Sequence, residues 1–158
     1  MLREDRLDIG VISDTHGLIR PEALQALEGS ALILHAGDVG AEDVLKALGR
    51  IAPVTAVRGN VDRGSWAEAL PARQAVRIAG FSLYVLHNLS ELDFDPAAEG
   101  FAAVISGHSH RPRIAQKNGV LYFNPGSAGP RRFTLPVAVG RLQQVNGALQ
   151  ATILELGA

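Results

Sequence analysis

Leu7-Asp8-Ile9-Gly10-Val11-Ile12-Ser13 runs straight into Asp14-Thr15-His16-Gly17, an apolar stretch that stops at two groups able to hold a divalent metal ion. The pattern returns along the chain. Ala31-Leu32-Ile33-Leu34-His35-Ala36-Gly37 precedes Asp38, and Val54-Thr55-Ala56-Val57-Arg58-Gly59 precedes Asn60. Leu83-Tyr84-Val85-Leu86 precedes His87, and Ala102-Ala103-Val104-Ile105-Ser106-Gly107 precedes His108 and His110. One Asp after a strand is commonplace, but five strands that all end in oxygen or imidazole donors imply one assembled site. Ligands of sheets with parallel strands gather just beyond the carboxyl ends. Side chains spread over positions 14 to 110 can therefore meet.

The runs at 7–13, 31–36 and 53–58 are continuously apolar, which suits strands covered on both faces. Between them, Pro21 fits a first helical position, Leu24 and Leu27 share a face, and Gly29 fits the stop. A second helix over about 41–48 carries Glu42 and Asp43 in its first turn, where the helix dipole favours them. Val44, Leu45 and Leu48 form its apolar stripe and Gly49 ends it. This is βαβαβ with short connections, hence an α/β fold.

Beyond residue 70 the character changes. Residues 74–79 and 81–87 read as a hairpin turning at Gly80, and 88–100 as an irregular polar stretch with a short helix from Pro96. Strands follow near 102–106, 112–117 and 120–124, with Asn118-Gly119 as a two-residue turn. Residues 135–143 and 148–156 make a last hairpin around Asn146-Gly147. Helices first and hairpins later predict two sheets packed face to face and flanked by helices, a single domain over 1–158.

Composition narrows the chemistry. The chain has 158 residues, 47% hydrophobic and 20% charged, the profile of an ordinary globular domain with a sizeable core. A formal charge of −1 gives no reason to expect stable nucleic-acid binding. With no cysteine, a metal site must use oxygen and imidazole donors. No apolar stretch approaches the ~18 residues of a membrane span. The charged start Met1–Arg6 lacks a signal-peptide hydrophobic region, so a cytoplasmic protein is expected.

Asp14-Thr15-His16 and His108-Ser109-His110 each place donors at i and i+2. In extended backbone these point the same way; in a loop they can splay toward two neighbouring ions. Seven donors exceed what a four-coordinate structural zinc takes. Two ions ~3.5–4 Å apart, bridged by one carboxylate, would use them all. Two divalent cations, two carboxylates and one hydroxide leave a charge of about +1, suited to a phosphodiester, and a metal-held hydroxide is a nucleophile at neutral pH.

Asp14-Thr15-His16-Gly17, Gly37-Asp38, Gly59-Asn60, a strand-end His87 and Gly107-His108-Ser109-His110 occur in the order of calcineurin-like metallophosphoesterases. The chain most resembles the small YfcE-like phosphodiesterase branch, which the late Asn124-Pro125-Gly126-Ser127 with Pro130-Arg131 also resembles. That resemblance implies a four-layer αββα sandwich of two mixed sheets. It also implies Asp14, His16, Asp38 and His110 around one metal, and Asp38, Asn60, His87 and His108 around the other. Asp38, Asn60 and His108 would serve catalysis through the metals. Manganese is the expected ion, with iron, nickel, cobalt or zinc as alternatives, and a small phosphodiester the expected substrate. Relatives are often oligomeric, so a homo-oligomer is expected by analogy.

Two departures stand out. Many superfamily members carry a His after Gly-Asn that protonates the leaving group; here that position is Val61, which transfers no proton. His87 is followed by Asn88, where the family often has Gly-His. Other readings compete locally. Asp38 could cap the helix near 41, and Asn60 could be a plain turn residue. His35 could be a satisfied buried histidine or support a ligand, and Asp62 a supporting acceptor or a solvated turn residue. Arg131 and Arg132 could clamp a phosphate or simply be solvated, and Trp66 could belong to core, oligomer contact or substrate wall. Two other functions compete: a phosphomonoesterase acting on nucleotides or phosphoproteins, and a non-catalytic scaffold such as the retromer subunit of this fold.

Overall fold

The computed structural model describes residues 7–157; the charged start Met1–Arg6 and Ala158 lie outside the described residues. Five strands form one sheet in the order β10 (Ala148–Glu155), β9 (Ala138–Val145), β1 (Asp8–Ile12), β2 (Leu32–His35) and β3 (Val54–Ala56). The second sheet orders β4 (Arg73–Ile78), β5 (Phe81–Leu86), β6 (Ala103–Ile105), β8 (Val120–Asn124) and β7 (Arg113–Lys117). Both are mixed. β1, β2 and β3 are mutually parallel, as are β5, β6 and β8, with antiparallel strands completing each sheet.

Period-two burial explains the layering. Ile9, Val11 and Leu34 of the first sheet meet Leu83, Val85, Ile105 and Phe123 of the second in one continuous core. The residues between them, Ile12 and Ile33, face outward onto Ala23 of α1 (Pro21–Ala26), Leu27 at its C-cap, and Val44 and Leu48 of α2 (Glu42–Gly49). α2 keeps Glu42 and Asp43 in its first turn and Lys46 in its last, as the dipole favours. Trp66, on the short α3 (Ser65–Glu68), is half-buried against this cluster. On the far side of the second sheet, Leu86, Val104 and Val120 are covered by Tyr84, Leu89, Leu92 and Ala97.

The layered α/β sandwich is as expected. Its thinnest layer is that last cover, a one-turn 3-10 helix (Leu89–Glu91) followed by turns. The expected helix from Pro96 is a run of turns: the Asp95 carboxylate accepts from Ala97 N, and Pro96 and Ala97 carbonyls accept from Phe101 and Gly100. Glu91 and Asp93 beneath it are engaged by Arg73 instead of extending a helix. α3 was not legible in the sequence, since four residues carry too little periodicity to register.

Candidate metal centre

All seven predicted donors follow strands that run toward the same end of the sandwich, where the two sheets meet. The seam is tight. A Cβ at Gly107 would run into the side chains of Ser13 and Asp14, and one at Gly59 into the Asp38 backbone and carboxylate. Across the seam His108 N donates to Asp14 Oδ2 at 3.0 Å, and His87 Nδ1 bonds Ala36 O at 2.8 Å.

The two carboxylates are arranged alike, each with one oxygen held by protein and one turned to imidazoles. Asp14 Oδ2 accepts from Ser13 Oγ (2.7 Å) and His108 N; its Oδ1 is buried without a hydrogen-bond partner. That oxygen lies 3.4 Å from His110 Nε2 and 3.9 Å from both His16 Nε2 and His87 Nε2. Asp38 Oδ1 accepts from Val61 N (3.0 Å), while Oδ2 lies 3.2 Å from His87 Nε2 and 3.7 Å from His16 Nε2. His16 Nε2 and His87 Nε2 are close to these oxygens but not aligned as hydrogen bonds, so they too are buried without a partner. A buried polar atom left unpaired costs ~1–3 kcal/mol. Convergence of three such acceptors is what a cation would satisfy, and the donor set fits a divalent transition ion.

Asp14, His16 and His110 form one group with ligand atoms within 4.8 Å of one another, and Asp14, Asp38 and His87 form another. The rings pair accordingly, His16 with His110 at 5.3 Å between centroids and His87 with His108 at 5.2 Å. His108 and His110 therefore splay in different directions from one loop. Asn60 is exposed at its loop tip, but both its neighbours, Gly59 and Val61, abut Asp38.

Protonation follows from this geometry. Burial pushes the Asp14 carboxyl up, against the pull of Ser13 and the nearby histidines. Burial pushes the same way at Asp38, but the His87 imidazole, the Val61 amide and His16 outweigh it and hold the carboxyl at about 2. Burial opposes charging of His87, yet Asp38 and Asp14 prevail and raise its pKa. The Ala36 carbonyl can only accept, so Nδ1 of His87 carries a proton and Nε2 is left for a proton or a metal.

Residues around the donors fix the loops. His35 is fully buried, accepts from Gly37 N through Nδ1 (3.1 Å) and meets Thr15 Oγ1 through Nε2 (3.0 Å); Thr15 in turn donates to Val39 O. It is a satisfied core histidine that props the loops bearing Asp14 and Asp38. Asp62 is buried and takes the N–H groups of Val39, Gly40 and Gly59, clamping the Asp38 loop to the Asn60 loop. Asp38 does not cap α2, whose N-cap is Ala41. Asn124 bonds Gly107 O and Ser109 Oγ, and Ser127 Oγ bonds Asp14 O, so this late turn is structural. Ser13 and Thr15 were not singled out from sequence; their only signal was adjacency to Asp14. Nine non-glycine described residues have positive φ, and five are donors: Asp14, His16, Asp38, His108 and His110. Such backbone concentrates at functional sites.

This fold and this donor cluster define a metal-dependent phosphoesterase class. The chain belongs to the calcineurin-like phosphoesterase superfamily, whose domain model matches residues 7–146. It is 36% identical over 163 residues to a "Probable metallophosphoesterase" of Methanothermobacter thermautotrophicus, covering 95% of this chain and 93% of that one. In fold it is similar to an archaeal phosphodiesterase (TM-score 0.77, 23% identity, 94% and 100% of the two chains). It is also similar to Vacuolar Protein Sorting 29 of Cryptosporidium parvum (TM-score 0.74, 19% identity, 97% and 99%). No helix among the described residues is long and apolar enough to cross a membrane.

Proposed function

We propose that the chain hydrolyses phosphodiesters with two divalent transition-metal ions, manganese foremost. One set would be Asp14, His16, Asp38 and His110, the other Asp38, Asn60, His87 and His108. One observation carries it: each carboxylate keeps one oxygen tied to protein and aims the other at unpaired imidazole nitrogens. Bound there, the ions supply Lewis acidity and activate water at neutral pH. The chain's own part is to hold the donors rigid. Asp38 stays ionised, Ala36 O fixes the His87 tautomer, and Asp62 locks the Asp38 and Asn60 loops together.

Val61 decides the substrate range. Its N–H is spent on Asp38 and its side chain is exposed and aprotic, so no proton comes from this position to the leaving oxygen. Esters whose leaving oxygen is already a weak base are favoured. General-acid help is worth ~10²–10⁴-fold, so Val61→His should accelerate alkyl esters far more than aryl esters. Equal gains on both would refute the role given to Val61.

The deciding experiment couples metal analysis to hydrolysis of an aryl phosphodiester and its matched monoester, for wild type and Asp38→Asn. Expected are about two equivalents of transition metal, preference for the diester, and near-complete loss in the variant. Monoester preference would favour a phosphomonoesterase. A fully reconstituted protein that takes up no metal and turns over neither ester would be a scaffold.

A further inference from the structure

The loop following the late turn is rooted in the candidate metal centre. Ala128 N donates to Ser13 O and Ser127 Oγ to Asp14 O, both at 3.0 Å. Gly129 packs on the carbonyls of Asp14 and Thr15, with Arg20 Nη2 bonding its own carbonyl at 3.1 Å. The loop returns through a bridge between Ser127 and Val137. Between these anchors Arg131 to Thr134 stand exposed, closed only by Leu135 N donating to Arg132 O.

Phe133, at the tip, is 93% exposed, whereas the other exposed large apolar side chains among the described residues lie between 37% and 45%. Its φ is +52°, a conformation bulky residues rarely adopt. The fold thus holds an aromatic ring out into water on a strained turn. Four residues from Gly129 span at most ~14 Å, so the ring stays within reach of the centre. Arg132, three residues from Gly129, is kept within ~11 Å of it by the length of the chain. Val61, also exposed, adds a second apolar group at the mouth. Self-association is a poor explanation, because the ring is flanked by Arg131, Arg132 and Thr134, and two copies would bring like charges together.

We propose that Arg132 and Phe133 form a substrate lip, Arg132 taking phosphate oxygens and Phe133 stacking on a planar ring carried by the ester. The substrate class is then a phosphodiester with a nucleobase or an aryl group, a refinement that rests on the phosphodiesterase assignment above. Stacking on an aromatic side chain separates ligands of equal charge by roughly tenfold.

The test is calorimetric binding of thymidine 5′-monophosphate, phenyl phosphate and methyl phosphate to the manganese-loaded protein. Wild type should bind the thymidine ester roughly tenfold tighter than the methyl ester. Phenyl phosphate should fall between them; parity with the thymidine ester would identify a bare aryl ring as the sufficient group. Phe133→Ala should erase the ring preference and leave methyl phosphate unchanged, Phe133→Trp should restore it, and Arg132→Ala should weaken all three alike. No ring preference in wild type, or equal losses on all three ligands in Phe133→Ala, overturns the lip. So does a change of oligomeric state in Phe133→Ala by light scattering. Aryl diester hydrolysis on the same samples separates the two ideas: ring preference without turnover defeats the phosphodiesterase assignment alone, and turnover without ring preference defeats the lip alone.

Discussion

The two ends of the sandwich use the same backbone region for different reasons. At one end lie three hairpin turns, Ala79-Gly80, Asn118-Gly119 and Asn146-Gly147, every residue of which has positive φ. Paired left-handed residues suit the twist of a two-residue turn. A Cβ on Gly80, Gly119 or Gly147 would meet nothing within 4 Å. At the other end, Asp14, His16, Asp38, His108 and His110 adopt positive φ among packed loops, held by bonds such as Asp14 N to Gly37 O and His16 N to Asp38 O. Gly59 and Gly107 there are not left-handed at all; they are small because Asp38 and Asp14 occupy the space a side chain would need. The hairpin glycines serve conformation, whereas Gly59 and Gly107 serve proximity.

The largest expected effect tests that distinction. Gly59→Ala and Gly107→Ala should displace Asp38 or Asp14 and lower aryl diester hydrolysis by roughly a hundredfold or more, as ångström-scale misplacement does. Metal content should fall with it, and activity near wild type would mean the contacts are slack. Next is Asp62→Asn, which preserves shape but removes the charge that holds three amides. Loss of such supporting partners typically weakens metal affinity ~10–100-fold, and titration with manganese would show it; unchanged affinity would reduce Asp62 to a passive turn.

A smaller effect comes from His35, which the hairpin end has no counterpart for. Burial, against the opposing pull of Asp62, lowers its pKa from 6.5 to about 3. Below pH 6.5 the unfolded chain therefore binds a proton that the folded protein refuses. Stability from this group is complete above that pH and falls by about 1.4 kcal/mol per unit as pH drops. Urea unfolding of metal-free protein at pH 7.5 and 5 should show about 2 kcal/mol more acid loss in wild type than in His35→Gln. Equal losses would place the acid sensitivity elsewhere. Smallest is Gly119→Ala or Gly147→Ala, each costing about 1 kcal/mol of thermal stability through left-handed strain, with metal uptake untouched.

Much of the fold was legible because its signals are local. Apolar runs, Pro21, Asn118-Gly119 and Asn146-Gly147 each report on a few neighbouring residues, and the strands fall where these signals put them. The segment after Asn88 was harder, because its helical turns are held by Asp95 and by packing on Tyr84 and Val104, not by periodicity. The donors were visible as repeated strand ends. Their supporting residues were harder: Asp62 could be read as an acceptor or as a plain turn residue, and Ser13 and Thr15 are ordinary in sequence and matter only through the hydrogen bonds they make around Asp14 and Val39.

By itself, then, the sequence determined the strand order along the chain, the donor types and their place at strand ends, since these depend on residues near one another. Tertiary structure alone decided which oxygen of each carboxylate is tied and which is free, how His108 and His110 part company, and that Phe133 stands out in water. Those outcomes depend on contacts between residues as far apart as Asp14 and Ser127. Only the packing of one sheet on the other brings such residues together.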